Sequence, residues 1–168
     1  MKRLIVYFIE IIICFVIQSS MFHYIGLANV VPNILLILVV STAYMRGKMS
    51  GLLLGFFSGI LVDIIFGRVI GLYALIYMLI GYLIGFSHKI YDKDDFTIPI
   101  ILVAISDIIY GFFYYVFEFL LRGRLNFFYY FRRIIFPEMI YTIAVSIFLY
   151  KLLHMINNRL NRKIDEEA

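Results

Sequence analysis

Five carboxylates lie within long apolar runs of the sequence, where such a group could hold a proton, a cation or a polar ligand. They are Glu10, Asp63, Asp107, Glu118 and Glu138. An acid inside a membrane costs about 2.5–3.5 kcal/mol on insertion scales, so each of the five is a candidate for function. The structural alternative is that an internal hydrogen bond or an ion pair satisfies the buried acid.

Three of the acids, Asp63, Glu118 and Glu138, fall near the predicted outer ends of their helices. Arginines lie close to them in depth: Arg68, Arg122 and Arg132. These residues predict a structural ring of ion pairs at the membrane interface. For Asp63 a second interpretation is open, because its side chain could cap the turn that precedes Gly67.

The other two acids, Glu10 and Asp107, lie deeper, in the inner half and near the middle of their predicted helices. An internal polar network with Ser58, Ser106 or Tyr110 is one interpretation of both positions. The sharper interpretation is a site for a proton or a ligand.

Residues for catalysis do not form any known pattern. Three histidines lie scattered over loops and helix ends, at positions 23, 88 and 154. The sequence has no H-E-x-x-H motif, no Cys–His spacing for a metal, no G-x-S-x-G nucleophile and no phosphate-binding P-loop. We therefore expect a protein that is not an enzyme and that uses neither a metal nor a cofactor.

The composition sets the environment of these side chains. Of 168 residues, 64% are hydrophobic and only 15% are charged, with a mean hydropathy of +0.97. Soluble domains have about half apolar and about a quarter charged residues, so the solvent of this chain must be lipid. The net charge of +4 comes from short clusters rather than a basic domain, which argues against nucleic-acid binding.

Apolar runs predict one all-α integral membrane domain over residues 1–168, built as a six-helix transmembrane bundle. The predicted spans are about 4–22, 31–45, 50–66, 69–87, 98–121 and 134–156. Because only "FGRVIG" separates the third and fourth spans, we expect these two to form an antiparallel hairpin. The polar stretch "SHKIYDKDDF" at 87–96 is predicted to be a cytoplasmic loop.

The distribution of lysine and arginine predicts the orientation. With both termini in the cytoplasm, ten basic residues lie inside and five lie outside. The five outer ones are Arg68, Arg122, Arg124, Arg132 and Arg133. Four of these fall in "RGRLNFFYYFRR", whose aromatic residues suggest a stretch that lies in the interface with its arginines on lipid phosphates.

A ladder of glycines recurs every fourth residue and runs into one of the acids. It comprises Gly47, Gly51, Gly55, Gly59, Asp63, Gly67 and Gly71, and Gly81 and Gly85 repeat the spacing on the next span. Small residues at this spacing let two helix backbones approach closely. The close approach serves either packing within the bundle or docking of a partner helix or a second copy, and we take the glycines from Gly51 to Gly85 as candidate docking residues.

The segment 32–85 resembles the central signature of the rod shape-determining protein MreD family. The matching residues are Pro32, Asn33, the glycine ladder with Asp63, then Leu72, Ala74, Leu75, Gly81, Tyr82 and Gly85. A second piece, "FPEMIYT", resembles the start of the family's last helix, at Pro137 and Tyr141.

The resemblance implies a non-enzymatic subunit of the bacterial elongation machinery in the inner membrane, which supports cell-shape control and lateral peptidoglycan synthesis. It implies binding to MreC and indirect work with MreB filaments, RodA and its transpeptidase. It also implies a fold similar to the S component of vitamin transporters, so a small-molecule-binding transporter subunit stays open as the alternative function.

Overall fold

The computed structural model describes residues 2–24, 31–67, 70–90, 95–118 and 127–165, and in these ranges the chain is helical almost throughout. Seven α-helices follow one another: α1 Lys2–Tyr24, α2 Ile34–Arg46, α3 Lys48–Phe66, α4 Leu72–Ile84, α5 Thr97–Glu118, α6 Phe127–Tyr130 and α7 Phe136–Asp165. A 3-10 helix, Gly85–Ile90, continues α4, and a π-helical turn, Phe131–Ile135, joins α6 to α7. The described ranges thus contain six continuous helical segments.

The short helix α2 lies at the centre of the bundle. Every residue from Ile34 to Met45 is buried, and α2 contacts α1, α3, α4, α5 and α7. A helix that is apolar on all sides has no face for solvent, and its sequence "ILLILVVSTAYM" has this character. With 13 residues, α2 is about 20 Å long, well short of a hydrocarbon core of about 30 Å.

Helices α3 and α4 pack as an antiparallel hairpin, as the sequence predicts. Gly51 lies against Gly81, Gly55 against Tyr77, and Gly59 against Ala74. The pairing runs in opposite directions along the two helices, and it brings their backbones into direct contact over most of the length of α4.

Among the residues that the structure describes, four helices are long and apolar enough to cross a membrane, namely Lys48–Phe66, Leu72–Ile90, Thr97–Phe117 and Phe127–Asn161. The apolar parts of α1 and α2 are shorter, at Ile5–Ser20 and Ile34–Arg46. The described residues confirm an all-α protein with six helical segments, and four of these are candidate spans. That all six segments cross the membrane stays a prediction.

Two of the predicted boundaries are wrong. Residues 87–90, predicted as loop, belong to the 3-10 helix that extends α4; residues 91–94 lie outside the described ranges. The predicted interfacial stretch ends in helix from Phe127 onward, and this helix runs without a break into α7. Both stretches are polar or aromatic, and this composition suggested loops. They can still be helical, because a helix satisfies its backbone N–H and C=O groups locally whatever side chains it carries.

Candidate functional site

Asp63, the acid in the glycine ladder, caps the N-terminus of α4. Its Oδ1 accepts a hydrogen bond from the Tyr73 backbone N–H and its Oδ2 accepts one from the Ala74 N–H, both at 2.9 Å. The first N–H groups of a helix have no partner within the helix, and the positive end of the helix dipole favours an anion there. The carboxylate is only 1% exposed, so these two bonds define its environment.

Gly71 makes this cap possible. It is the N-cap residue of α4 and has φ +100°, a left-handed conformation that glycine adopts without strain. It offers the helix no side-chain cap, so the carboxylate of Asp63 on α3 supplies the missing acceptors. Arg68, a predicted neighbour of Asp63, lies outside the described residues.

The ladder glycines form the seam between α3 and α4. A Cβ added at Gly51, Gly55 or Gly59 would meet α4 backbone atoms at less than 3.0 Å, and one added at Gly81 or Gly85 would meet α3 in the same way. All five are buried. Of the two interpretations of the ladder, this geometry favours packing within the bundle, because α4 itself occupies the face on which these glycines lie.

Two of the three remaining ladder glycines, Gly67 and Gly71, lie at the end of α3 and the start of α4. Gly67 ends α3, and its N–H donates to the carbonyls of Asp63 and Val62. Gly71 is exposed, with no atom within 4 Å of an added Cβ.

A polar cluster surrounds the start of α2 in the middle of the bundle. The Oδ1 of Asn33 accepts hydrogen bonds from the Tyr77 hydroxyl at 2.6 Å and from the Leu36 N–H at 3.2 Å. The N–H of Asn33 donates to the Thr142 Oγ1 at 3.1 Å, and Thr142 is also hydrogen-bonded to Asp107. The cluster therefore ties α2 to α4, α5 and α7.

Asp107 and Glu138 lie in this cluster and interact electrostatically with each other. Asp107 is 2% exposed, and its Oδ1 has no hydrogen-bond partner among the described residues. The ring of Tyr110 lies 5.5 Å from that of Tyr77, and both tyrosines interact electrostatically with Glu138. Asp107 is buried and Glu138 is half-buried, and two interacting carboxylates inside a membrane protein are a candidate site for a proton or a cation.

The network differs from the one predicted for Asp107. Ser58 and Ser106 are fully buried, but their hydroxyls have no hydrogen-bond partner in the ranges that the structure covers. Thr142 and Asn33 take their place. The predicted ring of ion pairs stays a prediction, because Arg68, Arg122 and the side chain of Glu118 fall outside those ranges.

A second polar centre, at the opposite end of α2, forms around Arg46. The guanidinium lies 4.9 Å from the centroid of the Tyr7 ring and interacts electrostatically with Glu10. Its Nε donates to the Asn157 Oδ1 at 2.6 Å, and the Tyr7 hydroxyl donates to the Ser50 Oγ at 3.2 Å. Glu10, which is 8% exposed, thus has a cationic neighbour.

Sequence reasoning missed the role of Arg46 by counting it only as a cytoplasmic charge. Its signal was its position, because a cation in the last turn of a helix interacts favourably with the helix dipole. Thr142 carried no signal, since nothing in a single sequence links it to Asn33 or to Asp107. In the described parts of the chain no group of three or more His, Cys, Asp or Glu residues could hold a metal.

An all-helical chain with four apolar helices of membrane-spanning length is a multi-pass integral membrane protein. In the described part, its buried polar side chains cap helices and join them to one another. The family model of the rod shape-determining protein MreD matches residues 1–159, so the chain belongs to this family and the resemblance of residues 32–85 is confirmed. No curated protein and no solved structure matches the chain.

Family membership establishes the broad function. The chain is a rod shape-determining membrane protein, and the family associates with the rod-shape complex.

Proposed function

We propose that this protein is a non-enzymatic scaffold of the bacterial elongation complex and that it binds the transmembrane segment of MreC. The match to the rod shape-determining family over residues 1–159 is the observation that carries this proposal. MreB filaments, RodA and its transpeptidase act with it indirectly in lateral peptidoglycan synthesis.

The glycine seam limits where a partner helix can dock. Since α4 covers the ladder, the partner meets the outer face of the hairpin that the ladder holds together. On that face Leu53 and Phe57 of α3 are 40% and 53% exposed, and with Tyr7 and Phe8 of α1 they line an apolar groove of about 190 Å³. Close apolar packing of this kind drives helix association in lipid.

The test of this function is co-purification of MreC with a variant of the outer face. Leu53→Ala with Phe57→Ala removes two large side chains from the groove without touching the seam, so we expect MreC to be lost while the protein still inserts. The matched control, Leu152→Ala with Phe148→Ala on the exposed face of α7, should retain MreC. Retention of MreC by both variants would move the docking face elsewhere.

We propose that both termini lie in the cytoplasm. The α2–α3 junction carries Arg46 and Lys48, and the C-terminal half of α7 carries Lys151 and Arg159. Cytoplasmic ends of membrane helices are rich in such residues. Labelling of single cysteines, placed at Lys2 or in residues 122–126 of a chain whose Cys14 is replaced by serine, with a membrane-impermeant reagent tests the orientation. Only the second position should react in intact spheroplasts.

A second candidate function is that of a small-molecule-binding subunit, similar to the S component of vitamin transporters. The observation that favours it is the buried Oδ1 of Asp107, which has no hydrogen-bond partner within the described ranges and belongs to the same cluster as Glu138 and two tyrosines. Native mass spectrometry of the purified protein should then detect a bound ligand that Asp107→Asn releases. A ligand-free spectrum, together with normal rod shape in cells that carry Asp107→Asn, counts against this candidate.

A further inference from the structure

A second apolar groove lies between α5 and the π-helical turn. Ile108 and Phe112 of α5 form one wall, and Phe127, Phe131 and Ile135 form the other, around a volume of about 340 Å³. The floor of the groove is tight, because Gly111 of α5 lies against Ile135 so closely that an added Cβ would be 2.9 Å from its Cγ1.

The π-helical turn places two arginines directly after Phe131. In this turn the N–H of Phe136 donates to the carbonyl of Phe131, five residues earlier, which widens the helix. Such widened turns occur frequently at functional sites. Arg132 and Arg133 are exposed, so the same turn presents an aromatic wall to the groove and two guanidinium groups beside it.

The two guanidinium groups differ in how they are held. Arg133 lies over the ring of Tyr129, at 5.5 Å from its centroid, and donates a hydrogen bond to the Tyr129 hydroxyl. For Arg132 the described residues provide neither a hydrogen bond nor an ion pair. The nearest described acid in sequence, Glu138, interacts with Asp107 instead, so the positive charge of this turn is not neutralised from within that part of the chain.

We propose that this surface is a binding site for an anionic phospholipid. An acyl chain occupies the apolar groove, and the phosphate of the headgroup contacts Arg132 and Arg133. Guanidinium groups bind phosphate through paired N–H donors. The proposal is independent of the MreC-binding face, which lies on α1 and α3.

The chain has no tryptophan, so one introduced tryptophan reports on the lipid beside it. Phe112→Trp places the reporter in the groove wall, where the native ring is 49% exposed, and Phe148→Trp places a control on α7, where the ring is 80% exposed. The purified protein is reconstituted in phosphatidylcholine vesicles that contain brominated phosphatidylglycerol or brominated phosphatidylcholine, whose bromine atoms quench tryptophan emission.

We expect brominated phosphatidylglycerol to quench the Phe112→Trp reporter at a lower mole fraction than brominated phosphatidylcholine does. The difference should be about fivefold for each arginine, since each surface arginine contributes about 1 kcal/mol to the binding of an anionic lipid. The Phe148→Trp control should show no preference between the two lipids. Arg132→Gln with Arg133→Gln should abolish the preference at the groove, whereas Arg159→Gln, an exposed arginine near the other end of the bundle, should leave it intact.

Three results would overturn the proposal. Equal quenching by both lipids at the groove would show an acyl contact without headgroup selection. Quenching of the Phe148→Trp control alone would show that protein, such as a second copy of the chain, covers the groove. If the preference for phosphatidylglycerol survives the loss of both arginines, groups other than these arginines must cause it. If the double variant does not fold, Arg132→Gln alone makes the same test.

Discussion

Replacing Asp63 by leucine should loosen the α3–α4 hairpin at the turn that joins its two helices. The carboxylate is buried and holds the N–H groups of Tyr73 and Ala74 at 2.9 Å. Leucine has the same number of side-chain heavy atoms and the same branching but accepts no hydrogen bond, so two buried donors lose their partners.

The cost follows from those two donors. A buried donor left without an acceptor costs about 1–3 kcal/mol, so Asp63→Leu should lower the free energy of unfolding by about 2–6 kcal/mol. Asparagine keeps one acceptor oxygen, and Asp63→Asn should cost about half as much. Ile64→Leu, at a neighbouring site that is 66% exposed, is the matched control and should change the free energy by less than about 0.5 kcal/mol.

Two measurements separate a local effect from a global one. Unfolding in mixed micelles with increasing dodecyl sulfate, followed by circular dichroism, gives the free energy. Hydrogen exchange of a peptide that covers residues 70–77 reports the two amides themselves, and they should lose protection in the leucine variant before α5 does. We also expect the leucine variant to fail to support rod shape in cells.

The capping argument would be refuted by an Asp63→Leu protein that unfolds within about 1 kcal/mol of the natural chain and keeps both amides protected. Such a result would mean that the helix start is satisfied without the carboxylate. Rescue of rod shape by the leucine variant would separately remove Asp63 from the function.

Three further predictions concern packing and the two polar centres. Gly55→Ala should destabilise the protein by about 1–3 kcal/mol or more, because the added Cβ would meet the α4 backbone; Gly111→Ala, which meets only the side chain of Ile135, should cost less in the same micelle assay. Tyr77→Phe removes one hydrogen bond to the asparagine that caps α2 and should lower the free energy of unfolding by about 0.5–1.5 kcal/mol. Arg46→Gln removes a charged donor to Asn157 and should cost about 1.5–3 kcal/mol; adding Glu10→Gln should recover part of this loss, and a purely additive double variant would show that the two groups are not coupled.

The sequence predicts the hairpin because its signal is local. Glycines at every fourth position and a six-residue connection predict an antiparallel arrangement of α3 and α4. The acid among these glycines is predicted to be buried and therefore to need hydrogen-bond donors. The donors themselves are backbone N–H groups on the next helix, and these exist at every position, so residue types alone could not select Tyr73 and Ala74.

The two polar centres depend on contacts between residues far apart in the chain. Asn33 meets Thr142, and Arg46 meets Asn157. Hydropathy predicts the approximate position of each helix in the sequence and its length. It does not predict how each helix is rotated about its own axis relative to its neighbours. Which polar residue faces which is therefore decided by packing around α2, and a single sequence does not record that choice.

The enclosure of α2 sets an order on the biogenesis of the protein. The ribosome makes α2 second, but four of the helices that surround it, α3, α4, α5 and α7, are made later. At about 20 Å, α2 is too short to cross the bilayer stably alone. Asn33, which caps α2, and Ser41 and Thr42 within it are polar and buried, so these side chains would face lipid if the surrounding helices were absent. We therefore expect α2 to stay bound to α1 or to the insertion machinery until α7, the last helix, is synthesised and packs against it.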